Sequence, residues 1–184
     1  MSTEQVVFVD ETGKPTGEVG PKLASHTGDT KRHLAFSCYI FREGSAPHDP
    51  DFLLTRRALD KKVWPGVWTN SVCGHPAPGE GMEAAIRRRA AYELGVTALS
   101  GVQCLLPNYA YTSPPSNGIV ENEFCPVYMA FTSQQPEPNP AEVADYRWLR
   151  WSEYATLLQA EPDTTSYWAK DQFPLLADKV IGPQ

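Results

Sequence analysis

One strongly helical segment lies among segments that alternate like β-strands, and this change of pattern fixes the class of fold. Residues 80–94 are mostly good helix formers, and Gly95 supplies the left-handed residue that ends many helices. Ser152 is predicted to cap a helix through residue 159, and a last helical segment over about 165–180 is predicted to be interrupted by Pro174. Strand-like runs occur at residues 6–9, 33–41, 52–55, 68–73, 102–111, 123–132 and 143–151. The sequence therefore predicts an α/β (α+β) domain with a mixed β-sheet core flanked by helices.

Length and charge narrow the possible partners. A chain of 184 residues is long enough to bury the core of one domain. Its formal net charge of -6 argues against a nucleic acid or an anionic membrane as partner. The first residues lack the regions of a signal peptide, and no apolar run approaches the roughly 18 residues of a membrane span. We expect a cytoplasmic protein that could bind an anion only through a local cationic pocket; the sequence does not indicate its oligomeric state.

The four cysteines are widely spaced and include no Cys-x-x-Cys pair. Without a secreted context, this spacing predicts free thiols rather than a disulfide framework. Cys38, Cys104 and Cys125 are expected to be structural, as small buried hydrophobic residues usually are.

Three of the four histidines can be grouped with two carboxylates. His33 opens a strand, His75 follows a Cys-Gly turn, and His26 lies upstream. Glu121 and Glu123 are two residues apart, so on a strand they project from the same face. Such a set would suit Mn²⁺, Zn²⁺ or Fe²⁺. Spacing alone does not bring the five together, and a Glu-x-Glu pair on an exposed strand is the plainer interpretation.

A glycine loop that leads into the predicted helix carries a more specific pattern. The frame is that of the Nudix box, whose helix presents glutamates to Mg²⁺ and a diphosphate, and it is met by Gly74, Glu80, Arg88, Glu93 and Gly95. The fit is partial, because Arg89 and Tyr92 stand where that box has glutamates. Since those carboxylates bind metal and activate water in hydrolases, their loss argues against diphosphate hydrolysis but not against the fold. An ordinary amphipathic helix with a glycine cap is the alternative.

Several basic residues could bind a diphosphate together with Mg²⁺. Singly, each would be an ordinary solvated surface charge. The set comprises Lys22, Arg56, Arg57, Lys61, Lys62 and Arg89.

Residues 55–76, which read TRRALDKKVWPGVWTNSVCGHP, strongly resemble the type I isopentenyl diphosphate isomerases. Segments 26–30, 33–37, 92–96 and 118–123 agree with the same family, and the resemblance extends over roughly residues 5–170. It implies a single Nudix-like domain over 1–184, with a core at about 30–155 and terminal segments that complete the site. It also implies the interconversion of isopentenyl and dimethylallyl diphosphate in isoprenoid synthesis.

The resemblance also implies roles for individual residues. Cys73 matches the family's catalytic cysteine, and Tyr111 and Trp168 match its active-site aromatic residues. Glu93 matches a glutamate that, with the backbone carbonyl of Cys73, holds a Mg²⁺ bridging the substrate diphosphate. The five ligands of a Mn²⁺, Zn²⁺ or Fe²⁺ site would be His26, His33, His75, Glu121 and Glu123. The positions that meet or lie near the diphosphate are Lys22, Arg57, Lys61 and Arg89.

The implied chemistry explains these residue types. Moving a double bond means adding a proton at one carbon and removing a proton from another, through a species that resembles a tertiary carbocation. Glu123, beside Tyr111, suits the proton donor on one face, and Cys73 suits the acceptor on the other. The ring of Trp168 could stabilise the cation. Trp64 is expected to pack against the pocket wall or form part of it, as is Trp68.

Two alternative functions stay open from the sequence. The Nudix-box frame allows a Nudix-type diphosphate hydrolase, and the same fold allows a catalytically silent binding module. The intact set of proposed ligands, with Cys73 and Glu93, favours the isomerase over both.

Overall fold

The strands of this protein form two sheets in a computed structural model that describes residues 4–180. The strands are β1 (Gln5–Val9), β2 (Pro15–Pro21), β3 (His33–Leu34), β4 (Phe36–Arg42), β5 (Asp51–Arg57), β6 (Trp68–Thr69), β7 (Val72–Gly74), β8 (Ser100–Leu106), β9 (Ala110–Thr112), β10 (Asn122–Phe124), β11 (Val127–Thr132) and β12 (Val143–Arg150). The helices are α1 (Lys22–Ser25), α2 (Met82–Leu94), α3 (Trp151–Ala160) and α4 (Tyr167–Val180), with a 3₁₀ turn at Pro162–Thr164.

Both sheets mix parallel and antiparallel pairs. The first has the order β2-β1-β3-β10-β9, and the second has the order β12-β5-β4-β11-β8, with β6 on β5 and β7 on β4. The parallel pairs are β3 with β10 and β4 with β11. Mixed sheets with helices packed against them confirm the predicted α+β class.

Two segments predicted as single strands pass from one sheet into the other. The run 33–41 is β3 and β4, separated at Ala35, and the run 123–132 is β10 and β11, separated at Cys125 and Pro126. Pro126 has no N–H to continue a ladder, which is a physical reason for the break. The segments stay paired across it, because Ala35 N–H donates to the Phe124 carbonyl (2.9 Å) and Ser37 N–H to the Pro126 carbonyl (3.2 Å).

Other predicted strands also divide. The run 102–111 is wrong as one strand, because β8 ends at Leu106 and β9 begins at Ala110 in the other sheet, after a turn that contains Pro107. The run 68–73 divides at Asn70 and Ser71, whose side chains bond to neighbouring backbone rather than extend one ladder. Strand β2 and the short helix α1 were not predicted.

The observed ends of the helices agree with one of the predicted boundaries and differ from two others. Gly95 has φ +67°, its N–H donates to the Ala91 carbonyl (3.1 Å), and the predicted stop is confirmed. Ser152 is not a cap; it lies inside α3, and its hydroxyl donates to Asp49 (2.8 Å). Helix α4 continues through Pro174, where an interruption was predicted. Gln172 and Leu176, on either side of the proline, are fully buried, so packing outweighs the local cost of about 3 kcal/mol.

The second sheet is covered on both faces. Phe36, Cys38 and Ile40 share one face of β4 and belong to the same buried cluster as Ile86 of α2. The intervening Tyr39 and Phe41 pack in a second cluster with α3 and α4. This burial of both faces explains why β4 reads as a nearly continuous apolar run.

Candidate functional site

A cavity of about 570 Å³ brings together most of the residues predicted for the site. Its walls include Lys22, His26, Arg57, Lys61, Cys73, His75, Arg89, Glu93, Tyr111, Glu121, Glu123 and Trp168. His33 is fully buried and contacts His75, which lines the wall. Arg56, from the predicted basic set, instead donates to the Gly66 carbonyl and does not line this cavity. Trp64 and Trp68 do not line it either, but both pack against the cluster that contains the wall residue Trp168, as predicted.

Strand register places three of these residues in one row. Glu123 of β10 lies opposite His33 of β3 on one side and opposite Tyr111 of β9 on the other. Residues that face each other across strands project from the same side of a sheet. The Tyr111 hydroxyl accordingly donates to Glu123 Oε2 over 2.9 Å.

Two members of this row, His33 and Glu123, form a cluster with two further imidazoles. Ligand atoms of His26, His33, His75 and Glu123 all lie within 4.8 Å of one another. His75 Nε2 is 3.2 Å from His33 Nε2 and 3.1 Å from Glu123 Oε1. Glu121 lies outside this group of four but adjoins it, with Oε2 3.3 Å from His26 Nε2. The structure thus brings four of the five predicted ligands together and sets the fifth at their edge.

The hydrogen bonds made by two of the histidines leave their other ring nitrogens available to a cation. His26 Nδ1 is 2.6 Å from the Lys22 carbonyl and His33 Nδ1 is 3.0 Å from the Lys31 carbonyl. A carbonyl only accepts, so both Nδ1 atoms carry the proton and, in the neutral rings, both Nε2 lone pairs face the cluster. Within residues 4–180, buried Glu121 Oε2 has no hydrogen-bond donor. A divalent cation would satisfy these facing lone pairs.

Burial and neighbouring charges tune the same groups. Burial lowers the pKa of His75 to about 3, so this ring is neutral, as a metal ligand must be. Burial disfavours charge on His26, but the Glu121 carboxylate outweighs it and raises the His26 pKa. Burial likewise opposes charge on Glu123, yet the adjacent imidazoles of His33 and His75 hold its pKa well below the usual range. The carboxylate form of Glu123 is therefore favoured.

Cys73 lies on β7, directly opposite Ser37 of β4. Its thiol donates to Asn70 Oδ1 over 3.0 Å, and the residue is partly buried. Burial raises the pKa of Cys73 to about 12, so the resting group is a thiol.

Trp168 of α4 forms an aromatic wall of the cavity and is almost fully buried. Its Nε1–H donates to Asn70 Oδ1 over 2.9 Å, the same oxygen that the Cys73 thiol contacts. The Tyr111 ring centre lies 6.2 Å away, and the Arg57 guanidinium lies 5.7 Å from the indole centre. Trp168 thus lies between Asn70, which contacts the Cys73 thiol, and the ring of Tyr111.

Arg89, which is buried, is the centre of a cluster of charged side chains. It donates to Glu93 Oε1 (2.8 Å), Glu4 Oε1 (3.1 Å) and Glu142 Oε2 (3.1 Å). Burial disfavours its charge, but Glu93 and Glu142 outweigh burial and raise the Arg89 pKa. Burial raises the pKa of Glu93. Since Lys22 pairs with Glu4 and Lys61 pairs with Glu142, Glu93 is the carboxylate of this cluster that pairs with Arg89 alone among the described residues.

Two of the other predicted substrate-binding cations contact carboxylates of this cluster. Lys22 donates to Glu4 Oε2 (2.8 Å), and Lys61 pairs with Glu142. Arg57 is held by the backbone instead, donating to the Trp64 carbonyl (3.0 Å) and the Val63 carbonyl (2.9 Å). The cavity wall therefore presents these four predicted cations, three of them paired with carboxylates.

Sequence reasoning missed several residues of the site. Glu4 and Glu142 carry no local motif, although both contact predicted substrate-binding cations. Asn70 lies within the segment that resembles the isomerases, but its role depends on contacts with α4, 98 residues away in sequence. Ser37 and Gln172 have no distinguishing sequence pattern, and only the folded structure brings them into contact.

The remaining cysteines divide in two. All four are free thiols, as predicted, and Cys38 and Cys125 are buried. Cys104 is exposed and lies on β8, an edge strand of the second sheet.

Known proteins match the chain over nearly its whole length. Residues 31–170 match the NUDIX domain family. An isopentenyl-diphosphate Delta-isomerase of Paenarthrobacter aurescens is 49% identical over 177 residues, covering 96% of this chain and 92% of the relative. One of Brevibacterium linens is 45% identical, covering 97% and 96%. The chain belongs to the isopentenyl-diphosphate Delta-isomerase family. A relative of the same name from Klebsiella pneumoniae is 46% identical over 168 residues, covering 91% and 88%.

Solved structures share the fold of this isomerase family member at lower identity. DR0079 from Deinococcus radiodurans aligns with a TM-score of 0.69 at 20% identity, covering 93% of this chain and 98% of its own. A MutT NUDIX hydrolase from Burkholderia pseudomallei aligns with a TM-score of 0.59 at 21% identity, covering 79% and 98%. The Nudix fold is thereby established. Over residues 4–180, the structure contains no helix long and apolar enough to cross a membrane.

Proposed function

We propose that this protein isomerises isopentenyl diphosphate to dimethylallyl diphosphate in isoprenoid biosynthesis. The observation that carries the proposal is one cavity lined by a thiol, a carboxylate, a phenol and an indole together with four cations. An alkene needs the first set for proton transfer, and a diphosphate needs the second for anchoring. The name shared by the relatives supports the same activity.

The proposed acid–base pair is Cys73 and Glu123, on opposite faces of the substrate. One proton adds to the terminal carbon of the alkene, and another leaves the carbon between the branched centre and the CH₂–O group. Glu123 would act with Tyr111, which donates to its Oε2. Because the isomerisation is reversible, each group gives a proton in one direction and takes one in the other. That Glu123 gives and Cys73 takes in the forward direction stays a prediction.

The walls between these groups would protect the cationic intermediate. Trp168 and Tyr111 present ring surface to the cavity, and a desolvated cation–π contact is worth roughly 2 kcal/mol. Burial of Trp168 and Tyr111 supports exclusion of water from the reacting carbons.

We further propose that His26, His33, His75, Glu121 and Glu123 hold one Mn²⁺, Zn²⁺ or Fe²⁺. The facing Nε2 lone pairs and the unpartnered oxygen of Glu121 support this assignment among the described residues. When bound, the ion would supply positive charge that fixes the carboxylate of Glu123 and polarises it.

Glu93 and the backbone carbonyl of Cys73 are proposed to hold a Mg²⁺ that would neutralise charge on the substrate diphosphate. Glu93 and Cys73 line the same cavity, and the pairing of Glu93 with Arg89 alone among the described residues supports a cation here. Lys22, Arg57, Lys61 and Arg89 would bind the phosphate oxygens directly, and this anchoring orients the alkene between the reacting groups.

The termini support a single domain over 1–184. Lys22 and His26, from the N-terminal part, and Trp168, from α4, line the same cavity as Cys73 of the core. A core without these segments would lack one proposed metal ligand and the aromatic wall.

The hydrolase alternative is disfavoured by α2. At the positions where the Nudix box has glutamates, this helix has Arg89, which is buried and paired, and Tyr92, which is exposed. The silent binding module is disfavoured by the convergence of the His/Glu cluster and the thiol in one cavity.

The test is an isomerase assay with isopentenyl diphosphate, with and without a chelator, on wild type, Cys73→Ala and Cys104→Ala. Cys104 is an exposed thiol outside the cavity, so its loss should leave turnover unchanged. Loss of Cys73 should reduce turnover by about a thousandfold or more while the fold is retained. Near-normal turnover of folded Cys73→Ala would refute the acid–base pair, and phosphate release without isomerisation would favour the hydrolase.

A further inference from the structure

A buried polar network lies behind the Cys73 sulfur. Asn70, Ser37, Gln172 and Tyr39 are all fully buried, and each makes side-chain hydrogen bonds to others of the set or to the thiol. Such groups are costly to bury, so a satisfied network fixes the positions of its members.

On one side of the sulfur, Asn70 can only accept. Its Nδ2 donates to the backbone carbonyls of Cys38 (3.2 Å) and Val72 (3.0 Å). Since a carbonyl cannot donate, this arrangement fixes the orientation of the amide and turns Oδ1 towards Cys73 and Trp168. The contact of 3.0 Å between Sγ and Oδ1 must therefore use the thiol proton.

On the other side, a directed chain ends at Ser37 Oγ, which lies within reach of two sulfurs. The Tyr39 hydroxyl donates to Gln172 Oε1 (3.0 Å), and Gln172 Nε2 donates to Ser37 Oγ (3.0 Å). Because Ser37 already accepts from Gln172, its own proton is free to be donated. The nearest acceptors are Cys73 Sγ at 3.6 Å and Cys125 Sγ at 3.5 Å.

We propose that Ser37, oriented by Gln172 and Tyr39, is a positioning residue that donates a hydrogen bond to the Cys73 sulfur opposite the Asn70 acceptor. The inference rests on the proposed function, and it explains how one sulfur can serve in both directions. As a thiol, Cys73 donates to Asn70. In both states, thiol and thiolate, the sulfur accepts from Ser37.

The proton and electron balance is simple. When the thiol proton passes to the alkene, the S–H electron pair stays on sulfur, and the alkene electron pair forms the new C–H bond. When a substrate proton passes to the thiolate, the C–H electron pair becomes the new double bond. Ser37 keeps its own proton throughout, so it assists the sulfur without replacing it.

Ser37→Ala and Tyr39→Phe test the chain from its two ends. Neither side chain lines the cavity. Loss of the Ser37 hydroxyl should lower kcat by roughly tenfold, and loss of the Tyr39 hydroxyl by roughly threefold, the scale of one hydrogen bond and of its orientation. KM should change by less than about twofold, because no contact with the diphosphate is altered.

Tyr109→Phe is the matched control. Tyr109 lies just before β9, and its hydroxyl also donates to a residue of α4, Asp171 (2.7 Å), which adjoins Gln172 in sequence. The Tyr109→Phe substitution removes the same chemical group as Tyr39→Phe, near the same helix, but leaves the hydrogen bonds that lead to Cys73 intact. Its kcat should equal that of wild type, and thermal melting followed by circular dichroism checks the fold of all three variants.

The S–H stretching band of Cys73 gives a measurement that does not need turnover. It is obtained as the infrared difference between each protein and the same protein carrying Cys73→Ala. Loss of a donor to sulfur weakens the S–H···O bond to Asn70, so the band should move to higher frequency in Ser37→Ala and not in Tyr109→Phe. If wild type does not isomerise at all, the proposed function fails while this band still decides the inference. Wild-type kcat and an unmoved band in folded Ser37→Ala would overturn it.

Discussion

Replacing Trp168 with phenylalanine tests whether the cavity stabilises a carbocation. The indole lines the cavity, is 4% exposed, and has an Nε1–H that donates to Asn70. Phenylalanine keeps a ring at the same place but presents a weaker ring face and no donor. Asn70 Oδ1 retains its contacts with Thr69 (3.0 Å) and Cys73, so the substitution leaves no unsatisfied acceptor in the core.

The size of the effect follows from these contacts. A desolvated indole contributes roughly 2 kcal/mol to a nearby cation, and if the benzene ring keeps about half, about 1 kcal/mol is lost. The missing hydrogen bond to Asn70 removes up to about 1 kcal/mol more from the positioning of the thiol. Together these terms lower kcat by about five- to thirtyfold, since 1.36 kcal/mol corresponds to a factor of ten. KM should stay nearly constant, because the cation exists only after proton transfer.

Steady-state isomerisation of isopentenyl diphosphate measures both constants. Trp148→Phe is the matched control, because Trp148 is a partly exposed indole outside the cavity, with the Arg42 guanidinium 4.2 Å from its centre. Its kcat should be unchanged. If Trp168→Phe kept kcat within about twofold of wild type, or changed only KM, the cation-stabilising role would be refuted.

Three further predictions concern the metal, the diphosphate and the thiols. His33→Gln should reduce the divalent metal content measured by plasma mass spectrometry, and chelated wild type should recover turnover on metal addition; an unchanged metal content would contradict the ligand set. Lys61→Gln should raise KM by about tenfold with kcat nearly unchanged, as loss of a charge-assisted phosphate contact would, whereas exposed Lys179→Gln should not. At pH 8 Cys73 is almost wholly protonated, because its pKa is about 12, so iodoacetamide should modify exposed Cys104 first; the reverse order by peptide mass spectrometry would disprove the burial argument.

The sequence predicted correctly those features that depend on the conformation of one residue or on the period of a short segment. The helix stop at Gly95 depends on one residue in the left-handed region, and it was found where the sequence placed it. The class of fold followed from the succession of strand and helix periods. The splitting of 33–41 and 123–132 between two sheets could not be read in the same way, because both sheets bury apolar residues and the run of hydrophobicity continues across the break.

The candidate site shows the same division. Cys73, Glu93 and the histidines stand in segments with a recognisable frame, so the sequence could nominate them. Ser37, Asn70 and Gln172 are ordinary polar residues in sequence, and their significance comes from partners up to 135 positions away. Ser152 fails for a related reason: a serine before a helical run favours a cap, but here Asp49 from another loop binds its hydroxyl and amide.

The passage of one short segment between the two sheets has a consequence for how the reaction could evolve. His33 faces Glu123 across β3 and β10, and Ser37 faces Cys73 across β4 and β7. Glu123 and Cys73, the proposed acid–base pair, are thus each placed opposite a residue of the same segment, and those two residues are four positions apart. The width of the gap between them is a property of the backbone, not of side-chain choice. Substitutions in the pocket walls can alter which prenyl chain fits, whereas an insertion near Ala35 would separate donor from acceptor in a single step.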